Sequence, residues 1–184
     1  MKGNVMKSMK KIVLAVFMLF CLSTTLLLSS CVENINNERE RAIARMEQIM
    51  PMVRDKDKEA LKLLFSEQAL NNADNIDADI DAMFEFLQGD IVAWTFDDIG
   101  ASSQAYKHGK QSLRINSAYK VATNDETYCF FVVDDNLDKI SPWNEGLYML
   151  EVMTWADSEI IDVAWQDRGH AGVAITVVNT GEEE

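Results

Sequence analysis

The chain has 184 residues, 48% hydrophobic and 26% charged, with 30 Asp and Glu against 17 Lys and Arg for a formal net charge of −13. That length suits one domain with a core of its own behind a short leader. The negative field excludes nucleic acid as a partner and disfavours anionic surfaces, and three cysteines are too few for a disulfide-stapled scaffold.

Residues 1–30 read as an export leader. Lys2, Lys7, Lys10 and Lys11 make a basic start free of acid. Ile12 to Leu28 is apolar except for Ser23, Thr24 and Thr25, and the small residues Ser29 and Ser30 follow. The apolar run is close to the length of a membrane-spanning helix, so an uncleaved anchor is the alternative reading. Leu28-Ser29-Ser30-Cys31 resembles a bacterial lipobox. The resemblance implies cleavage before Cys31, a diacylglyceryl group on its thiol, and extracytoplasmic attachment to the cell membrane. In a single-membrane bacterium that is the outer leaflet of the plasma membrane. Each buried CH₂ adds about 0.8 kcal/mol, so several acyl chains on one residue hold permanently. Removing the leader's four lysines leaves 13 basic residues against 30 acidic ones, formally −17. Solubility accounts for such acidity; a cationic partner would also suit it. The expected organisation is a signal peptide over 1–30, lipidated Cys31 and a tether over 31–38, one domain over 39–180, and a frayed acidic tail over 181–184. Fully extended, the tether reaches about 25 Å.

A helix is expected from Asn37 to Val53. Ile43, Met46, Met50 and Val53 recur at helical spacing, Arg39, Arg41, Arg45 and Glu47 supply the wet side, and Pro51 should kink the helix or end it early. Asp57 caps a short helix over Lys58–Phe65, and Ser66 caps a further turn. Ile76, Ile80, Met83, Phe84 and Leu87 form one face of the clearest helix, with Asp77, Asp79 and Asp81 at its start and Gly89 after its end.

The period then changes to two. Ile91–Phe96 is a first strand, and 97–110 a long polar connection. Leu113, Ile115, Tyr119 and Val121 alternate along a half-buried strand. Tyr128–Val133 is apolar on both faces, hence central, and Cys129 within it is a small buried hydrophobe. Asp134–Gly146 is a loop. Leu147–Trp155 and Ile160–Trp165 are further strands, and Val173, Ile175 and Val177 alternate in a last one. Helices first and strands after make the class α+β.

Motifs for chemistry are sparse. Asp77, Asp79 and Asp81 have calcium-loop spacing, but Ala82 and Gln88 stand where Gly and Glu are needed. Asp134, Asn136, Asp138 and Glu145 fit better, with Lys139 in place of the Gly, and are the weak metal candidates. His108 and His170 have no metal spacing, and no phosphate-loop, dinucleotide or hydrolase fingerprint occurs. No cofactor is therefore expected. Trp143 and Trp165 are candidates for exposed contacts.

Asp57-Lys58-Glu59-Ala60-Leu61-Lys62-Leu63-Leu64-Phe65-Ser66 is similar to the second helix of nuclear-transport-factor-2-like (cystatin-like) domains. With Phe84-Glu85-Phe86-Leu87-Gln88-Gly89, Gly146-Leu147-Tyr148-Met149-Leu150 and Trp165-Gln166-Asp167, the chain resembles a family of bacterial lipoproteins, mostly from Firmicutes, built on a domain of unknown function. The resemblance implies a cone: N-terminal helices packed on a curved antiparallel sheet. It assigns no active site. Two functions are open. One is a non-catalytic envelope module binding a protein or small molecule. The other is a small isomerase- or dehydratase-like enzyme moving protons with Asp97, Asp98 or His108 at the sheet mouth.

Overall fold

The computed structural model describes residues 37–161 and 170–178. Cys31, the leader, Trp165 and the acidic tail lie outside the described residues. The chain divides into two compact units, residues 1–39 and 40–184; the description below concerns the second.

Four helices come first. Helix α1 covers residues 37–54, α2 Lys58–Lys62, α3 Glu67–Asn72 and α4 Ile76–Phe86. Each short helix starts at a side-chain cap: Asp57 accepts from Ala60 N, Ser66 from Ala69 N, and Asn75 from Ala78 N. Pro51 does not end α1. Pro51 and Glu47 are both exposed, so the carbonyl that the proline leaves unbonded can face water, and Asp55 N still bonds Pro51 O at 2.9 Å.

The sheet has the order β1-β2-β3-β4-β5, with β1 Ile91–Lys107, β2 Lys110–Thr123, β3 Thr127–Asp138, β4 Gly146–Thr154 and β5 Gly172–Ile175. The first four pair antiparallel; β5 runs parallel to β4. The sheet is not closed. Helix α5, Trp155–Ile160, stands between β4 and β5 where a strand was expected from Ile160, and residues 162–169 lie outside the description.

Helices and sheet share one core. Met46, Ile49, Leu61, Ile80 and Met83 pack against the inward alternates Ile115, Tyr119, Val121, Phe130 and Val132. The opposite face carries a smaller cluster, Cys129, Phe131, Val133, Met149 and Met153, with Trp155 and Ile161 packed on it.

The polar stretch 97–110 is strand, not connection. β1 continues to Lys107, and the turn is only His108-Gly109, with φ of 50° and 77°. Two consecutive positive φ values make a tight hairpin turn whose twist matches the strands. β1 is an edge strand, exposed on both faces beyond Gly100. Nothing there requires alternation, so the strand pattern is absent from its sequence. Likewise Asp134–Asp138 extends β3 rather than opening the loop.

Candidate functional site

The helix-facing side of the sheet carries one polar cluster among its apolar residues. In β2, Ser117 and Tyr119 alternate with Leu113, Ile115 and Val121 and so point the same way. Asp134 pairs in register with Ile115 and shares that face. Arg41 and Arg45, one turn apart on α1, descend onto it. Arg45 Nε lies 2.9 Å from Asp134 Oδ1, with side chains 15% and 4% exposed. The N–H does not aim at that oxygen, so the contact is an ion pair rather than an aligned hydrogen bond. Asn136 donates to Asp134 Oδ2 at 3.0 Å and accepts from Arg41 at 2.7 Å.

Tyr119 is fully buried. Its hydroxyl donates to Ala42 O at 2.7 Å and sits 2.9 Å from Ser117 Oγ. Its ring stands edge-on to Trp94 and Phe96. Burial pushes its pKa up to about 12, with the Asp134 charge acting in the same direction and Ser117 and Arg45 opposing. The cluster therefore ties α1 to β2 and β3 through one ion pair and the hydrogen bonds of Asn136 and Tyr119.

Asp134 and its neighbour part company. A register shift falls between Val133 and Asp134 in the pairing with β4. Asp135 emerges on the other face, where Arg114 grips it with two bonds of 2.8 and 2.7 Å and lies over the Tyr148 ring.

A cavity of about 210 Å³ opens at the far end of α1. Val53, Phe84, Leu87 and Ile91 form its apolar wall, and Arg54, Lys56 and Asp90 its polar rim. Lys56 has a φ of 52° and donates to Phe84 O at 3.4 Å, at the C-terminal end of α4. The Phe84–Gly89 stretch is structural here. Buried Tyr128 accepts from Gln88 N at 2.8 Å, donates to Phe86 O, and meets the Phe86 ring edge-on. Gly89 has φ +76°, and a Cβ there would stand 2.5 Å from Asn124 Oδ1, which takes the Asp90 N–H at 2.6 Å. The α4 exit is thereby clamped to the β2–β3 turn.

The proton-transfer candidates do not come together. Asp97 and Asp98 are exposed on the edge strand, and His108 is exposed at the hairpin turn. The four cation candidates do not converge either. Asp134 pairs with Arg45, and Asn136 with Arg41. Asp138 accepts from Ile140 N, Ser141 N and Asn144 Nδ2, and Glu145 takes Lys139 Nζ at 2.9 Å, which holds its carboxyl below the usual range. Among the described residues no three His, Cys, Asp or Glu are grouped to hold a metal ion. Trp143 is 57% exposed, in the short turn Pro142–Asn144. Composition alone assigned Arg41 and Arg45 to the wet side. Their i,i+4 spacing on one helix face was the available signal, but their partners Asn136 and Asp134 lie in what the sequence reads as a loop.

What these features define is an α+β domain whose N-terminal helices α1–α4 cover one face of an open five-stranded sheet. The chain belongs to the family described as Domain of unknown function (DUF5104), whose model matches residues 48–155. No curated protein matches it. The matched span contains the whole Lys56 cavity and the Ser117, Tyr119 and Asp134 part of the polar cluster, but starts after Arg41 and Arg45.

Proposed function

We propose that this protein is a lipid-anchored module of the bacterial cell envelope that binds a partner or small ligand and performs no chemistry on it. The anchor is Cys31, behind Leu28-Ser29-Ser30 and a basic, then apolar, leader. Its place is the extracytoplasmic face of the membrane. Among the described residues no helix is long and apolar enough to cross one.

The non-catalytic half rests on Asp134. It is the buried acid turned toward the helices, and both its oxygens are engaged, one beside Arg45 and one by Asn136. A general base needs a lone pair turned to its substrate. The cavity beside Lys56 is the favoured place for a small ligand, its apolar wall giving affinity and its Arg54, Lys56 and Asp90 rim orientation.

For the finer fold we infer the nuclear-transport-factor-2-like cone. Support comes from the N-terminal helices packed on one face and a four-stranded antiparallel run interrupted by register shifts, which bend strands. Changing Cys31→Ala should leave the precursor uncut and abolish labelling with radioactive palmitate; persistent labelling would refute the anchor.

A further inference from the structure

Charge is segregated along the fold. Asp55 to Asp90, the α2–α4 region, holds ten acidic residues against Lys56, Lys58 and Lys62. Ile99 to Asn124, most of the β1–β2 hairpin, holds Lys107, Lys110, Arg114 and Lys120 and no acid at all. In a chain of net charge −13 this is the basic arm. Its tip is Tyr106-Lys107-His108-Gly109-Lys110. Tyr106 is 71% exposed, and the other four are exposed as well.

The tip carries a local penalty. Lys107 and Lys110 pair directly across the hairpin, and like charges in that position are destabilising. Among the described residues, nearby acids do not relieve it. Asp135 is gripped by Arg114, Glu145 by Lys139, and Asp138 is turned onto the amides of its own loop. A negative surface outside the molecule would offset the cost. An exposed tyrosine beside lysines is also the composition that settles at a lipid headgroup layer.

Position agrees with charge. Arg41, in the first turns of α1, bonds Asn136, two residues from Asp138, which pairs with Ser112 near the hairpin tip. The other end of α1, at Val53, lies with Ile91, where β1 begins. The chain thus enters this unit at the sheet end that carries the tip. The tip projects about 10 Å beyond the Ser112–Asp138 pair, at about 3.3 Å per residue. Arg41 is the tenth residue after Cys31, a span of at most about 34 Å.

We propose that the Tyr106–Lys110 tip is a second membrane contact, seated on the phosphates of anionic phospholipids. This rests on the lipid anchor proposed above. The anchor brings the domain to the bilayer, and the tip sets which end faces it. The acidic helices are repelled from the same surface, so charge segregation turns net repulsion into orientation.

The test uses the processed, lipidated protein on vesicles of neutral phosphatidylcholine and on vesicles containing phosphatidylglycerol. Flotation reads the anchor, and amide hydrogen exchange over residues 101–112 reads the tip. Flotation with both, and slower exchange on anionic vesicles alone, supports both readings. The slowing should reach about fivefold for each lysine at low salt. It should vanish in molar salt and in the Lys107→Glu, Lys110→Glu double variant, with exchange in β3 unchanged. Flotation with both but equal exchange overturns the tip and leaves the anchor. Flotation on anionic vesicles alone overturns the anchor and leaves the tip. Flotation with neither overturns both.

Discussion

The Arg45–Asp134 pair allows a quantitative test of how α1 is held on the sheet. With side chains 15% and 4% exposed, both charges have left most of their water. Removing one partner of such a pair strands the other, at a cost of about 3–5 kcal/mol. Arg45→Met should fall near the upper end of that range, because Asp134 would keep only the Asn136 amide. Asp134→Leu should fall near the lower end, because Arg45 can turn its charge toward water and keeps its bond to Gln48 at 2.8 Å. The double change Arg45→Met, Asp134→Leu buries apolar groups where the ions were and should cost about 0–1 kcal/mol. The coupling energy is then about 5 kcal/mol or more. Urea unfolding reads it directly. With a slope of about 2 kcal/mol per molar, the single variants should lower the midpoint by about 1.5–2.5 M, and the double variant should nearly restore it. Single variants that lose less than about 1 kcal/mol would refute the claim that the charges are buried. A double variant as unstable as the summed singles would refute the claim that they act as a pair.

Tyr119 should make the domain alkali-sensitive. Its folded pKa is raised from 10 to about 12, so the unfolded chain loses the phenolic proton first. Stability is then independent of this group below about pH 10 and falls by about 3 kcal/mol as pH rises to about 12; a Tyr119→Phe variant that kept the same alkaline slope would sink the assignment. Two glycines with nearly equal φ should respond differently to alanine. Gly109→Ala, at φ +77° with nothing near its added Cβ, should cost about 1 kcal/mol, whereas Gly89→Ala, at φ +76° and 2.5 Å from Asn124 Oδ1, should cost about 2–4 kcal/mol. Equal thermal shifts for the two would show that the α4 exit is not clamped to the β2–β3 turn.

The parts of the fold that sequence made legible are those where burial is one-sided. Ile76, Ile80, Met83 and Phe84 had to share a helix face, and Asp57 and Ser66 had few roles other than caps. The misreadings fall where no such pressure acts. Residues 101–107 of β1 are exposed on both faces, so their composition is that of a loop although β2 pairs them throughout. Asp134 and Asp135 looked like loop acids because strand interiors seldom hold two carboxylates. Each is tolerated by an arginine that sequence distance hides, Arg45 being 89 residues away and Arg114 21. β5 lies parallel to β4, with α5, Trp155–Ile160, and residues 162–169 between them in the chain, a crossover that the alternation of Val173 and Ile175 does not encode. The same concealment governs the site. Asp134 and Asn136 were legible as donors at cation-loop spacing, but the register that turns Asp134 onto Arg45 instead of outward was not.

Those two arginines also bear on what the domain can do. Asp134 and Asp135 lie on opposite faces of β3, and each pins a different element: α1 through Arg45, and β2 through Arg114. An acid used in this way is constrained by stability, because freeing it for a substrate would cost about as much as losing the pair. Among the described residues, exposed acids such as Glu85, Asp97 and Asp98 lie on α4 and the edge strand. Buried Asp134 and Asp135 are committed to architecture, while many of the acids on the helices are exposed. The spare charge is sorted, negative on α2–α4 and positive on the β1–β2 hairpin, and such segregation orients a protein against a charged surface.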